Sequence, residues 1–117
     1  MSEDADRYES AVRAWCAVPS NEHRRANQLM DELQKTYKQT RETNRGRTLI
    51  ERLTGDADLC VRVAAAVHAL KWNPDMARQV LLDAQEMEGD WETAGQFATN
   101  AKWSLSEFDA GRLNLHW

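Results

Sequence analysis

The sequence predicts an all-α fold of about six helices in three stacked antiparallel pairs, and three observations carry that prediction. Apolar residues recur at three- and four-residue intervals almost throughout the chain. The residues that interrupt them are ones that start and stop helices. The composition agrees: 117 residues with 42% hydrophobic, 29% charged, five glycines and only two prolines describe a globular chain with few turns. No segment reads as a strand. The length suits one domain with one core, with N-terminal helices over 1–54, a second group over 55–111 and an extended tail over 112–117.

The first helix is expected from about Glu3 to Val18, with Ala5, Tyr8, Val12 and Trp15 on one face and Pro19 as its stop. Ser20 or Asn21 is placed to cap the second, whose stripe is Ala26, Leu29, Met30, Leu33 and Tyr37. A shorter third helix carries Leu49, Ile50 and Leu53, with Gly55 as a left-handed terminator. Asp56 is then the expected cap of the fourth. Asn73-Pro74 combines a capping residue with the residue best tolerated at the first helical position. It opens a fifth helix with Ala77, Val80, Leu81, Ala84 and Met87 inward. Gly89 ends that helix, Asp90 caps the sixth, and Ala94, Phe97, Ala101, Leu105 and Phe108 lead to a stop at Gly111. In the tail LNLHW, Leu113, Leu115 and Trp117 alternate as in an extended segment.

The fourth helix is apolar on both sides. At about 100° per residue, Leu59, Val63, Val67 and Leu70 share one face, while Val61, Ala65, His68 and Trp72 share the opposite one. Such a helix must lie between neighbours. Asp58 and Arg62, four residues apart, are placed for an ion pair along its edge.

The stretch Gly55 to Leu70, GDADLCVRVAAAVHAL, resembles the second helix of a HEAT-type repeat. With RRANQLMDELQ in the second helix and the ending AKWSLSEFDAGRL, it extends the likeness over Arg24 to Leu113, to small bacterial HEAT-like proteins of unknown function. The resemblance implies a truncated HEAT-like α-solenoid. In HEAT-like proteins an aspartate and an arginine often tie adjacent repeats together, a structural role the resemblance implies for Asp58 and Arg62. Members of the group resemble immunity proteins of bacterial toxin systems or stand-alone scaffold domains, and the likeness supplies no catalytic residue. Three pairs are too few for a long concave groove, which argues against extended-peptide binding.

Charge and cysteine content narrow the function classes. A formal charge of −4 and a pI near 5.3 argue against a general phosphate-binding surface and favour a basic partner. Cys16 and Cys60, far apart on apolar helical stretches, have no metal-ligand spacing. They are read as small core residues of a reduced, cytoplasmic chain, with a disulfide as the alternative. No run approaches a membrane span, and the acidic start MSEDADRYE has no apolar signal-like region.

Each candidate site carries a structural reading beside the functional one. His68 is read as a hydrogen-bonded core histidine, since no second His or Cys lies three or four residues away; His23 and His116 have no partner visible in the sequence. Glu86, Glu88, Asp90 and Glu92 are four carboxylates in seven residues. Solvated surface charge and helix capping are the plain account, and docking of a basic protein is the functional one, ahead of metal, because the spacing is not that of a calcium loop. Arg41, Arg45, Arg47 and Arg52, with Lys35 and Lys38, form one basic stretch. It lacks interleaved aromatics apart from Tyr37 and is diluted by Glu42 and Glu51, so a solvated helix face is preferred to a nucleic-acid surface.

Trp103 projects opposite the apolar residues of the sixth helix, on a face shared with Gln96, Asn100 and Glu107. It is either a binding anchor or a residue covered by Leu113, Leu115 or Trp117 of the tail. Trp15, Trp72 and Trp91 are assigned to core or helix-capping positions. The expectation is a non-enzymatic protein-binding module without metal or cofactor. Its most concrete form is an immunity protein meeting a basic toxin domain through Glu86, Glu88, Asp90, Glu92, Asn100, Trp103 and Glu107. A HEAT-like scaffold or regulatory subunit is the first alternative, and a nucleic-acid-directed HEAT-like enzyme or binder the second.

Overall fold

Six helices follow one another in a computed structural model that describes residues 3–18, 22–86 and 96–112. They are α1 (Glu3–Cys16), α2 (His23–Thr40), α3 (Asn44–Leu53), α4 (Leu59–Ala69), α5 (Pro74–Gln85) and α6 (Gln96–Asp109). No strand occurs among the described residues, and the fold is all-α. The chain divides into two units between Leu49 and Ile50, within α3.

In the first unit α1 packs on α2. Tyr8, Ala11 and Val12 of α1 are buried, as are Leu33, Thr36, Tyr37 and Thr40 of α2. Ala26, Leu29 and Met30, expected on the same stripe, are only half-buried, so burial is concentrated in the C-terminal half of α2. Two buried threonines were not on the apolar stripe. Thr36 is accommodated because its hydroxyl donates to the Leu33 carbonyl at 2.9 Å within the same helix. Ser20 and Asn21, the expected caps, lie outside the described residues, and the cap position is taken by Glu22 with no side-chain bond. The start of α3 has a cap the sequence reading did not assign: the Gly46 N–H donates to the Thr43 hydroxyl at 3.0 Å.

In the second unit α4 packs against both α5 and α6, which also pack on each other. Val61, Val63, Ala65, Ala66, His68, Ala69 and Leu70 are buried, as are Ala77, Leu81 and Ala84 of α5 and Ala101 and Leu105 of α6. Alanines dominate these positions, and short side chains let helix axes approach closely. The end of α3 is tied to the end of α4 by Trp72, whose Nε1–H donates to Glu51 Oε1 at 2.9 Å.

Three local expectations are corrected. Gly55 is not left-handed, since among the described residues the only glycine with positive φ is Gly111, at 74°. The end of α3 instead winds down through i→i−3 bonds, Thr54 N to Glu51 O at 3.2 Å and Gly55 N to Arg52 O at 3.1 Å, which need no left-handed residue. The cap of α4 is Asp58, whose carboxylate accepts from the Cys60 N–H at 3.0 Å. Asp56 sits one step earlier and accepts from the Asp58 N–H at 2.9 Å, an Asx turn that leads into the cap. The expected Asp58–Arg62 ion pair gives way accordingly, and Arg62 Nε donates to the Asp56 carbonyl at 3.1 Å.

The cysteines are corrected as well. Cys16 and Cys60 are both disulfide-bonded, not free thiols. Pro74 does occupy the first position of α5 behind Asn73, although the Asn73 side chain makes no capping bond. Gly89, Asp90 and Ala94, assigned to the α5–α6 connection, lie outside the described residues.

Candidate protein-binding surface

The surface is set by how α6 is held against α5. Arg78, in the second turn of α5, grips Asp109, the last residue of α6: Nη1 donates to Oδ2 at 3.0 Å and Nη2 to Oδ1. The same guanidinium lies 6.0 Å from the Phe108 ring centre. Because the start of α5 meets the end of α6 while the two helices pack together, they run antiparallel. Gly111 closes the pair. Its left-handed backbone lets Gly111 N–H reach the Phe108 carbonyl at 3.0 Å and Arg112 N–H reach the Glu107 carbonyl at 2.8 Å, which is a Schellman terminator.

With Ala101, Ser104 and Leu105 buried, the helical repeat turns Trp103 outward, beside Thr99, Asn100 and Ser106, all exposed. Trp103 is 59% exposed, and Leu82 on the outward side of α5 is 43% exposed. A large apolar ring turned to water on a polar helix face is uncommon and marks interaction sites. The charge distribution sharpens this. From Pro74 to Arg112 the sequence holds eight carboxylates against three cations, whereas the rest holds eleven against twelve. The formal charge of −4 therefore resides in the region of α5 and α6.

The predicted site residues fall into three groups. Asn100 and Trp103 share the outward face of α6, and Glu86 is exposed at the C-cap of α5. Glu88, Asp90 and Glu92 lie outside the described residues, as do Trp91 and the tail residues Leu113, Leu115 and Trp117 that would cover Trp103. Glu107 is only half-exposed, with its carboxylate accepting from Arg112 Nε at 2.7 Å and Nη2 at 3.3 Å. That bond holds the Glu107 carboxyl below the usual carboxylate range, and Arg78 does the same to Asp109. Sequence reasoning missed Leu82. Its signal was present, since the inward stripe Ala77, Leu81, Ala84 leaves position 82 about 100° off the core.

The rival surfaces are partly engaged in structural contacts. His68 is 3% exposed within α4, and among the described residues no buried side-chain nitrogen or oxygen lacks a hydrogen bond. In the basic stretch, Arg41 lies over the Tyr37 ring at 4.8 Å and Arg47 Nε donates to the Arg41 carbonyl at 2.7 Å. Tyr37 itself is buried, which pushes its hydroxyl above its ordinary value against the opposing bond from Arg41. Lys35, Lys38 and Arg45 are exposed. Among the described residues no group of His, Cys, Asp and Glu is placed to hold a metal ion, and no helix is long and apolar enough to cross a membrane.

No family model, curated protein or solved structure matches this chain.

Proposed function

We propose that the chain is a non-enzymatic protein-binding module that presents the outer face of α5 and α6 to a basic partner. The observation that carries this is Trp103, 59% exposed on a helix of the acidic region. Exposed tryptophan is enriched at binding hot spots, and the excess of carboxylates in the sequence from Pro74 to Arg112 steers a cationic surface in and disfavours an acidic one.

The most concrete version is an immunity protein that covers the active site of a bacterial toxin, with the Glu86 to Glu92 segment meeting basic groups and Trp103 as the anchor. The toxin setting comes from the HEAT-like resemblance of Arg24 to Leu113 alone. The expected cytoplasmic location stands against the disulfide state of the cysteines, because disulfides persist in oxidising compartments. On the bonded cysteines we propose an oxidising compartment.

The test is binding kinetics against the product of the adjacent gene. Charge reversal at Glu86, Glu88 and Glu92 should slow association and flatten its salt dependence, while dissociation changes little. Wild-type association and an unchanged salt slope in the triple variant would move the interface elsewhere, most directly to α2 around the exposed Asp31 and Glu32.

A further inference from the structure

Beside the outward face of α6, the half-exposed Glu107 already holds a guanidinium. Glu107 holds Arg112 through two bonds, at 2.7 and 3.3 Å, and Trp103 stands one helical turn before Glu107, at the i,i+4 spacing that makes side chains neighbours. Elsewhere the protein combines arginine with an aromatic ring: Arg41 lies over Tyr37 at 4.8 Å, and Arg78 is gripped by Asp109 with Phe108 at 6.0 Å. In the Arg78 case both elements, carboxylate and ring, sit on α6 and the arginine comes from another helix. Trp103 and Glu107 repeat that pairing of ring and carboxylate, with the broadest ring the chain has, facing solvent.

We propose that Trp103 and Glu107 form a receiving site for an arginine side chain of a protein partner. The guanidinium stacks on the indole and bonds the Glu107 carboxylate, and Arg112 holds that carboxylate while no partner is present. This rests on the assignment of the α5–α6 face as the binding surface and specifies what enters it. Arginine is favoured over lysine because a planar guanidinium both stacks on a ring and bonds a carboxylate through two N–H groups. A second copy of the chain is disfavoured as occupant, since the same region of the copy also carries eight carboxylates against three cations. The resident pair is replaceable: the Arg112 side chain is 65% exposed, and exposed ion pairs contribute little stability.

The experiment is a titration of isotope-labelled protein with a blocked Gly-Arg-Gly peptide and, separately, Gly-Lys-Gly. It follows the Trp103 indole N–H signal, assigned by its loss in Trp103→Phe. A saturable shift is expected with the arginine peptide, at an affinity about threefold or more above the lysine peptide. Glu107→Gln should weaken it, and Arg112→Ala, which frees the carboxylate, should strengthen it. The amide spectrum of each variant reports whether the fold is kept. Equal shifts from the two peptides, or an arginine affinity that Arg112→Ala leaves unchanged or lowers, would overturn the inference. An arginine peptide that leaves the Trp103 signal unmoved overturns it too. In that case Trp103→Ala still tests the surface itself through dissociation of the adjacent-gene product, so the two ideas fail separately.

Discussion

The turn between α2 and α3 and the outer face of α5 and α6 are built from the same materials, an aromatic ring among charged side chains, and use them in opposite ways. In the turn, Tyr37 is buried, Arg41 covers its ring and Arg47 bonds the Arg41 carbonyl, so two of the arginines that read as a nucleic-acid surface are engaged within the chain itself. On α6 the ring is turned outward, with Trp103 59% exposed, and the neighbouring carboxylate retains only the solvent-exposed Arg112. A cluster of charge in a sequence therefore says little about binding until the charges engaged internally are subtracted. After subtraction, the exposed Lys35, Lys38 and Arg45 remain on the basic stretch, and an exposed tryptophan marks α6.

The largest effect expected from breaking the internal side of this contrast is at α4. Val63 is 5% exposed, and Val63→Asp should unfold the domain at a cost of several kcal/mol, about the whole stability of a small protein. Val67 is only half-buried, so Val67→Asp should cost clearly less. Chemical denaturation followed by circular dichroism separates the two. Equal costs would mean that α4 is not sided as described.

Next is the turn itself. A Cβ at Gly46 would overlap the Thr40 carbonyl oxygen and lie 2.7 Å from its carbon, contacts that backbone atoms cannot relieve by rotating. Gly46→Ala should destabilise by about 2 to 3 kcal/mol, although alanine is otherwise the better helix former by about 1 kcal/mol. A neutral or stabilised variant, measured by the same denaturation, would show that the turn opens easily and that its arginines are not locked there.

These two predictions also mark how far the sequence was legible. The helices, the Pro74 start, the Gly111 stop and the burial of α4 follow from periodicity and from residues with one strong conformational preference. The cap of α4 did not, because Asp56 and Asp58 are chemically equivalent and only the path of the turn decides which carboxylate faces the first free N–H groups. Gly55 was misread because a glycine after a helix fits either a left-handed or a tight i→i−3 ending. Gly46 was silent, since the closeness of Thr40 is tertiary information. At the surface, Trp103 and Asn100 were legible from the helical wheel. The Glu107–Arg112 bond was not, because it depends on the chain turning back at Gly111.

A smaller effect is expected on the acid side. Arg78 holds the Asp109 carboxyl below its ordinary value, so Asp109 stabilises the folded state above the unfolded carboxyl value, near 3.9, and this contribution is lost as pH falls through the lower folded value. Asp109→Asn should remove that part of the dependence below about pH 4 and leave the slope of the profile above it unchanged. Thermal melts between acidic and neutral pH would read this directly. An unchanged acid profile in the variant would show that the α5–α6 clasp does not hold the pair.

The most direct measurement is on Trp103→Ala, taken as a pair of readouts on one variant. Its denaturation curve should stay within about 0.5 kcal/mol of wild type, as for an exposed side chain. Its dissociation from the adjacent-gene product should be faster by roughly thirtyfold, the equivalent of about 2 kcal/mol for a hot spot. Wild-type dissociation, or a loss of stability of that size in the free protein, would show that Trp103 serves the fold and that the outer face of α5 and α6 is not the binding surface.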